Sequence, residues 1–425
     1  MTISIKTNKT YTLLFIMIAL CQLYINSFRV NIVLQLAVAM FCFLHQPVSL
    51  SKKAWQHIAV LGFVLLMGFA GTLLHGYSIS NILKDLMHFL KPITGLFLGY
   101  VLFKRIGDFR RFAQTVVIAS ILTAVIHLCI IFLLTDFSSG AIEKIRYYTK
   151  DNFLELFGLF LLIYFPKFEG IEVFDNNKYK KLWLGLILFS SFLYFSRTMF
   201  IIAALLWLTM KGYTRITKSS LQIIGTIVLM VVLLYTYLYN TNIKRGAAGF
   251  EGFLYKIKIV PEEIFTFNID RNNHAELWDH WRGYEAKRAL ELMEQHPSSY
   301  VFGTGHGSFV DLKFYTPLQG NPKGIRYISE LHNGYVYILY KTGSIGVLAY
   351  LFLLLRWYAY IYKKRNLKNV LISAGGIIFL LTTVMITGLY NSKDIIIFII
   401  GGVFYFASKN KLAAKTDDDS ELLTN

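Results

Sequence analysis

Long apolar runs recur along the whole chain, and they constrain its fold more than any other feature of the sequence. The chain has 425 residues, of which 55% are hydrophobic and only 16% are charged, whereas soluble domains carry about 25% charged residues. Several runs reach about 18 residues, enough for an α-helix to cross a bilayer. Because backbone in lipid has to satisfy its own hydrogen bonds, the sequence predicts an all-α polytopic membrane protein.

Twelve apolar segments are predicted to be transmembrane helices. The first follows Lys6 and Lys9, as in a secretory signal, but no small-residue cleavage site follows it, and an uncleaved helix is expected. The predicted organisation is helices 1–9 in residues 1–240, a large hydrophilic loop in 241–331, helices 10–12 in 332–408 and a tail in 409–425. The approximate bounds of the segments are 11–27, 30–47, 55–75, 82–103, 112–135, 152–166, 182–195, 198–211, 220–240, 332–359, 369–390 and 394–408.

The apolar stretch 182–210 is either one long tilted helix or two short helices that turn near Arg197. The choice decides on which side of the membrane every later loop lies. With two helices, the basic connections 211–218 and 363–368 lie on one side, and the opposite side has only Lys393 in its short loop. Cytoplasmic loops concentrate Lys and Arg, so the two-helix arrangement is favoured, with the large loop outside the cytoplasm. The formal net charge of +18 then has its source in cytoplasmic loops, and no nucleic-acid partner is expected.

Each arm of the predicted hairpin has about 14 residues, or about 21 Å of helix, which is shorter than a hydrocarbon core of about 30 Å. The tip, with Arg197, is therefore expected below the membrane surface or in a recess. Charge inside a membrane is costly and usually faces a cavity or a partner. An arginine that snorkels to the interface is the structural alternative.

The large loop contains a stretch, 275–295, whose composition favours a helix that Pro297 ends. Arg282 is a candidate functional residue, but Glu285 follows it at the i,i+3 spacing, so an ordinary salt bridge is the alternative. Arg288 lies six positions further on, where an ideal helix would not align it closely with Arg282. It is a candidate for substrate binding.

A glycine-rich turn, "FGTGHGSF", occupies residues 302–309. It is not a phosphate-binding P-loop, because no Gly-Lys-Ser/Thr follows, and its Gly-x-Gly-x-Gly spacing is not a dinucleotide fingerprint. His306 is a candidate for substrate binding, and an exposed loop histidine is the alternative. The sequence has no metal-ligand spacing, and neither a metal nor another cofactor is expected.

The sequence "SELHNGYVYILYKTGSIG" places a histidine and an asparagine immediately before an apolar helix. His332 can accept a proton from a hydroxyl group near neutral pH, whereas the alternative is an interfacial side chain within an aromatic belt. Asn333 can cap the helix start and is a further candidate for substrate binding. Lys341, Gly343 and Gly346 predict a break in this helix.

The order of these features resembles the bacterial O-antigen ligases and O-antigen polymerases, which are lipid-linked polysaccharide glycosyltransferases of the inner membrane. The shared features are about twelve helices, one large loop before the tenth helix, the Ser-Arg in "YFSRTMF" and the stretch "LHNGYVYILYKTGSIGVLAY". The upstream "RGYEAKRAL…HPSSYVFGTGHGSF" is similar to the family's arginine, helix, proline and Gly-x-Gly stretch. In motifs the resemblance covers mainly 196–198 and 282–350.

The resemblance implies that Arg197, Arg282 and His332 are the catalytic residues. The donor would be a glycan on undecaprenyl diphosphate, whose phosphate oxygens suit guanidinium groups. Both arginines would stabilise the charge of the departing diphosphate, and His332 would orient or deprotonate the acceptor hydroxyl. An inverting, metal-independent transfer on the periplasmic face is expected.

Three functions stay open at this point. A polymerase would join repeat units of an O-antigen or capsule-type polysaccharide, and the Ile/Phe/Tyr/Lys/Asn-rich composition is typical of surface-polysaccharide gene clusters. A ligase would transfer the glycan to lipid A–core, and the repeated Arg-x10-Gly loop pattern of some polymerases is not clearly present. A flippase or transporter is the alternative of another class. Expected partners are the lipid-linked donor, a glycan or lipid A–core acceptor, membrane lipids and a chain-length regulator.

Overall fold

The computed structural model describes residues 2–45, 47–135, 145–146, 148, 151–247, 249–265, 269, 273–316 and 323–421. These residues are mostly helical, and a helix lies in each of the nine apolar segments predicted before the large loop. The nine helices are α1 (Thr2–Tyr24), α2 (Phe28–His45), α3 (Lys52–His75), α4 (Ile79–Ile106), α5 (Phe109–Leu134), α6 (Phe153–Glu169), α7 (Lys180–Leu193), α8 (Arg197–Lys211) and α9 (Lys218–Asn240).

The hydrophilic loop is folded and only partly helical. Its described helices are α10 (Phe250–Lys258), α11 (Val260–Phe265), α12 (His274–Asp279), α13 (Trp281–Glu294) and α14 (Ser299–Phe302). The antiparallel strands β1 (Val310–Thr316) and β2 (Ile325–Ile328) follow, with Val310 opposite Ile328. The all-α prediction is therefore wrong for this hairpin, and the predicted helix 275–295 is interrupted at His280, whose φ and ψ are −112° and 24°.

Three further helices follow the loop and complete the apolar segments: α15 (Gly334–Tyr358), α16 (Leu367–Ile386) and α17 (Ile396–Glu421). Short 3₁₀ turns, Ala359–Tyr362 and Gly388–Tyr390, connect them. Helix α15 packs against α3 and α16, and α17 packs along α4.

Seven helices of the described chain are long and apolar enough to cross a membrane. The twelve predicted spans thus correspond to twelve helices, but not all of these have the length of a span. Helices α6, α7 and α8 have 17, 14 and 15 residues, below the roughly 20 residues that usually cross a bilayer. The seven are Phe28–His45, Lys52–His75, Ile79–Ile106, Phe109–Leu134, Lys218–Asn240, Gly334–Tyr362 and Leu367–Ile386.

The chain reverses between α7 and α8, as the two-helix interpretation predicted. Lys180, at the start of α7, forms a 2.7 Å salt bridge with Glu172, just after α6. At the other end, Arg365 donates a 3.0 Å hydrogen bond to the Met210 carbonyl near the end of α8. The Arg365 guanidinium also lies 5.7 Å from the ring centroid of Phe168 in α6. The outer ends of α7 and α8 therefore lie at the same end of the bundle.

Helix α15 is broken where its glycines predicted a break. Gly343 has φ 69° and ψ −177°, outside the helical region, and such a backbone strongly favours glycine. The break leaves two carbonyls available to the glycine-rich turn: the Tyr340 carbonyl accepts Thr304 N–H at 2.7 Å, and the Lys341 carbonyl accepts Gly305 N–H at 3.2 Å. The turn is thus inserted among the membrane helices, where each backbone group needs a partner.

A buried ion pair also forms hydrogen bonds with the glycine-rich turn. Lys341 and Asp85 are fully buried, and Lys341 Nζ lies 2.6 Å from Asp85 Oδ2. The same carboxylate oxygen accepts the Gly307 N–H at 2.7 Å, and Lys341 donates to the Ser308 carbonyl at 2.6 Å. The Asp85–Lys341 pair therefore connects α4, α15 and the turn. It also supplies hydrogen-bond partners to backbone groups of the turn, which lipid could not do.

We predict that Gly343→Ala destabilises the protein. A Cβ at this position would overlap the Val301 carbonyl, and a non-glycine residue in such a backbone conformation costs about 1–3 kcal/mol. The midpoint of thermal unfolding in detergent should therefore fall. The matched control is Gly62→Ala in α3, where a Cβ meets no atom within 4 Å and the midpoint should not fall. Equal midpoints for the two variants would contradict the interpretation of Gly343.

Candidate functional site

Two of the predicted catalytic residues share one carboxylate. Arg282 Nη1 lies 2.9 Å from Glu263 Oε1, and Arg197 Nη2 lies 3.4 Å from Glu263 Oε2. Arg197 also donates to the Lys256 carbonyl. The three side chains are 15–20% exposed, so the cluster is largely shielded from solvent but not closed. Arginines that are 85 positions apart in the chain thus converge at the two oxygens of Glu263, which lies in α11.

The turn between α7 and α8 positions Arg197 without glycine or proline. Phe195 adopts a left-handed conformation with φ 44°, which is uncommon for a residue other than glycine. Ser196 caps α8 by accepting the Met199 N–H at 3.4 Å. Arg197 is the first residue of α8, and Arg146 donates to the Phe195 carbonyl at 3.3 Å. The short arms and this capped turn together direct the tip towards α10 and α11.

The third predicted catalytic residue, His332, is held by a second carboxylate. Its Nδ1 lies 2.9 Å from Glu285 Oε2, and its backbone N–H donates to the same oxygen at 3.0 Å. The Glu285 side chain is 2% exposed, whereas that of His332 is 54% exposed. Because a carboxylate accepts hydrogen bonds, this arrangement favours the proton on Nδ1 and leaves Nε2 as the nitrogen that can accept a proton.

Each cation of the site is paired with a carboxylate. The predicted alternative for Arg282 was a salt bridge with Glu285, but Arg282 pairs with Glu263 and Glu285 pairs with His332. The hydrogen bond to Glu285 raises the pKa of His332 above its usual value, against the opposing effects of the partial burial of the ring and of the Arg282 charge. A single helix, α13, therefore supplies one cation to the arginine cluster and the carboxylate that sets the state of the histidine.

Two cavities open at the two ends of this cluster. One has a volume of about 330 Å³ and is lined by Arg197, Glu263 and the basic residue Lys256. The other has a volume of about 490 Å³ and is lined by Glu285 and His332. The chemistry available is thus the guanidinium of Arg197 beside one cavity and a proton acceptor, His332, beside the other.

The remaining predicted site residues have structural partners. Asn333 caps α15 as predicted, since its Oδ1 accepts the N–H groups of Tyr335 at 3.2 Å and Val336 at 3.3 Å. Arg288 donates to the Asp311 carbonyl at 3.0 Å and pairs with Glu291. The guanidinium of Arg288 therefore connects α13 to β1 rather than reaching the His332 cluster.

His306 is not the exposed loop histidine of the alternative interpretation, which is wrong. The residue is fully buried, and its ring Nε2 lies 2.9 Å from the Leu65 carbonyl oxygen. Its backbone N–H donates to the Gly68 carbonyl at 3.1 Å. The ring also contacts the rings of Phe69 and Phe89. The glycines on either side let this turn enter the bundle, so His306 packs against α3 instead of facing solvent.

Sequence reasoning missed two carboxylates of the site. Glu285 was considered only as a neighbour of Arg282, although its position one helical turn further on predicted that it lies on the same face. Glu263 lies in "VPEEIF", a segment without any motif, and nothing in its local sequence indicates that two distant arginines meet there. The contacts of Glu263 depend on the folded loop.

Comparison with known families agrees with the resemblance seen in the sequence. Residues 182–351 match the model of a family described as O-antigen ligase. The matched range contains Arg197, Glu263, Arg282, Glu285 and His332, so the whole cluster lies within it. Neither a curated protein nor a solved structure is matched by the chain.

We predict that Glu285→Gln lowers the pKa of His332. A neutral amide does not stabilise the imidazolium by charge, while the partial burial of the ring and the Arg282 charge would still disfavour it. Histidine signals of the labelled full-length protein, followed by NMR across a pH titration, measure this pKa directly. Glu294→Gln is the control, because Glu294 lies on the same helix but is exposed. An unchanged His332 titration in Glu285→Gln would show that the carboxylate does not govern the histidine.

Proposed function

We propose that the protein, whose residues 182–351 match the model of a family described as O-antigen ligase, is a polymerase of lipid-linked repeat units. It would join undecaprenyl-diphosphate-linked oligosaccharides of a surface polysaccharide on the periplasmic face of the bacterial inner membrane. The observation that carries the proposal is the convergence of Arg197 and Arg282 on one carboxylate. His332 lies in the same cluster, beside a cavity.

The proposed membrane arrangement has twelve transmembrane helices and the loop 241–331 in the periplasm. The reversal between α7 and α8 supports this assignment of sides. With it, each later helix crosses the membrane in the opposite direction to the one it would have after a single long helix. The end of the bundle that contains Lys180 and Arg365 is rich in basic residues, as expected for a cytoplasmic face. The cluster around Glu263 would then lie on the periplasmic side.

The two arginines would hold the donor diphosphate. A guanidinium group can form two parallel hydrogen bonds to phosphate oxygens and keeps its charge when partly buried. The Glu263 carboxylate lies between Arg197 and Arg282. A diphosphate would replace Glu263 there, and positive charge from the two arginines would stabilise it as it leaves. No metal is needed for this role.

His332 would serve as the general base of the transfer. The acceptor hydroxyl oxygen forms a bond to the anomeric carbon of the donor, the bond from that carbon to the diphosphate oxygen breaks, and undecaprenyl diphosphate departs with its electron pair. His332 Nε2 takes the hydroxyl proton. The Glu285 carboxylate, 2.9 Å from Nδ1, stabilises the imidazolium that forms, as in a catalytic triad.

Transfer to lipid A–core is the second candidate function, because the matching family model is described as O-antigen ligase. The two functions use the same donor and the same bond chemistry and differ only in the acceptor. A flippase would need neither a base beside a cavity nor paired guanidinium groups at the end of the bundle.

We predict that His332→Ala abolishes transfer in cells, because the imidazole proposed to take the acceptor proton is lost. Gel electrophoresis of the surface polysaccharide separates the two functions. Loss of a polymerase leaves a single repeat unit on the core, whereas loss of a ligase leaves core alone with long chains retained on the carrier lipid.

The control for this experiment is His306→Gln, a histidine change outside the cluster, with protein levels compared by immunoblot. Normal long chains on the core of the His332→Ala strain would eliminate the proposed role of His332.

We predict that Glu263→Gln lowers the KM for the donor by about tenfold, which corresponds to one charge-assisted hydrogen bond of about 1.5 kcal/mol. The amide removes the negative charge that competes with the diphosphate for Arg197 and Arg282. Initial rates of the purified protein with lipid-linked donor measure the effect. Glu262→Gln is the matched control, since this neighbour contacts Tyr239 and His280 instead. A raised KM in Glu263→Gln would show that Glu263 organises the arginines rather than competing with substrate.

A further inference from the structure

A groove runs between α2 and α3 along the surface of α4. Both α2 and α3 pack against α4, and the space between them has a volume of about 660 Å³. This volume lies within the roughly 300–1,000 Å³ of small-molecule sites. The lining comes from the three helices and from the segment that connects α2 to α3. It consists of Leu36, Ala39, Phe43, Val48, Leu50, Trp55, Ile58, Ile93, Thr94 and Phe97.

The groove is apolar and open to the surroundings of the bundle. Phe43 on α2 and Trp55 on α3 are 55% and 59% exposed. Among the described residues of the lining, Thr94 alone carries a hydroxyl group, and this hydroxyl forms a 2.7 Å hydrogen bond with Gln35 Oε1. Because α2, α3 and α4 all have the length and composition of membrane spans, the exposed apolar surface faces lipid chains.

The groove has the length of one lipid chain. Ile93, in its lining, and Lys104, near its end, are 11 positions apart on α4, which corresponds to about 16 Å of helix. Half of a hydrocarbon core of about 30 Å is about 15 Å. An acyl chain that starts near Lys104 would therefore end near Ile93, close to the middle of the membrane.

Four basic residues surround the end of the groove near the segment that connects α2 to α3. Two of them begin α3 and two lie in the last turn of α4. They are Lys52, Lys53, Lys104 and Arg105. Lys104 donates a 2.7 Å hydrogen bond to the Ser49 carbonyl, and Arg105 donates a 3.0 Å hydrogen bond to the Pro47 carbonyl. Both carbonyls are neutral, so these two bonds hold the connecting segment without cancelling the positive charges.

Acidic residues are scarce around this basic end. Asp85 is the only Asp or Glu in residues 1–107, and it is buried in the ion pair with Lys341. Asp108, the next acidic residue, lies 3.9 Å from Arg111. The end of the groove therefore has an excess of positive charge, which attracts anionic lipid head groups.

This end of the groove is remote from the His332 cluster. Lys84, near the start of α4, lies 3.9 Å from Glu330, which is two positions before His332. At the other end of α4, Arg110 in the first turn of α5 forms a 2.7 Å salt bridge with Asp175, between α6 and α7. The groove is thus separate from the proposed catalytic site and ends at the basic end of the bundle, which is the cytoplasmic one in the proposed arrangement.

We propose that the groove binds an anionic phospholipid of the cytoplasmic leaflet, with one acyl chain along α4 and the phosphate among the four basic residues. The apolar lining fits the chain, and the excess of positive charge favours an anionic head group over a zwitterionic one. The bound lipid fills the space between α2 and α3. It thereby connects α2, in which only 28% of the residues are buried, to the rest of the bundle.

The first test measures lipid binding to the purified full-length protein in detergent by native mass spectrometry. Dioleoylphosphatidylglycerol is compared with dioleoylphosphatidylcholine, which has the same acyl chains but no net charge. The dissociation constant should be at least about tenfold lower for phosphatidylglycerol, since each Lys or Arg near an anionic lipid contributes about fivefold. Equal binding of the two lipids would overturn the proposal.

A substitution that fills the groove tests where the lipid binds. Ala39 lines the groove, so the ring in Ala39→Phe should abolish the preference for phosphatidylglycerol without changing any charge. Ala37→Phe is the matched control, because Ala37 is exposed on the same helix and does not line the groove. An undiminished preference in Ala39→Phe would refute the groove as the binding site.

The basic residues are tested by charge. The double variant Lys52→Gln/Lys53→Gln should weaken phosphatidylglycerol binding by about tenfold or more, at about fivefold for each lysine. Lys363→Gln/Lys364→Gln is the control, because these adjacent, exposed lysines lie beside Arg365 at the same end of the bundle. An equal loss of binding in both double variants would show a general attraction to positive charge and would reject the site.

Two further measurements secure these conclusions. Thermal unfolding without added lipid compares Ala39→Phe with Ala37→Phe, and if the midpoint of Ala39→Phe is lower, the lysine variants decide. Undecaprenyl phosphate, which also has an apolar chain and an anionic head group, should bind more weakly than phosphatidylglycerol. Tighter binding of undecaprenyl phosphate that is lost in Ala39→Phe would make the groove an isoprenoid site and refute the proposed occupant.

Discussion

The insertion of the glycine-rich turn into the break of α15 is the constraint on which the site depends. The carbonyls of Tyr340 and Lys341 are free to accept the turn because Gly343 leaves the helix, and the Asp85–Lys341 pair closes it from the other side. The segment between the turn and the break contains β1, β2 and His332. Since both of its ends are fixed to the membrane helices, the histidine has a defined height at the end of the bundle.

Electrostatic pairing separates the cluster into two parts. The two carboxylates of the cluster have different partners: Glu263 pairs with both arginines, and Glu285 pairs with His332. A ligand with two phosphates can replace the first carboxylate, because its oxygens are exchangeable partners for guanidinium groups. It cannot replace the second, which is 2% exposed and holds the histidine through both its ring and its backbone. In the proposed function, exchange of the donor at the arginines and proton transfer at His332 would therefore not disturb one another.

The sequence predicted the parts of this fold that local physics controls. Apolar length located the helices, charge asymmetry chose the reversal near Arg197, and Gly343 and Asn333 marked the break and the cap of α15. The parts it did not predict depend on contacts between distant residues. His306 appeared exposed because its bond to the Leu65 carbonyl spans 241 positions. No local pattern indicated Glu263, because its ion pairs form only when α8 and α13 come together. The strand pair was not predicted because it interrupts an otherwise helical pattern.

The shortness of α7 and α8 connects the fold to the chemistry. Two arms of 14 and 15 residues reach about 21–22 Å, so the turn between them stops short of a full membrane thickness. In the proposed function, Arg197 would lie at the depth where the head group of a lipid-linked donor leaves the hydrocarbon. Full-length arms would carry the arginine beyond the diphosphate, and the lipid would have to leave the membrane to reach it. In the proposed function, a short hairpin would allow the donor lipid to stay in the bilayer while its diphosphate contacts the arginines.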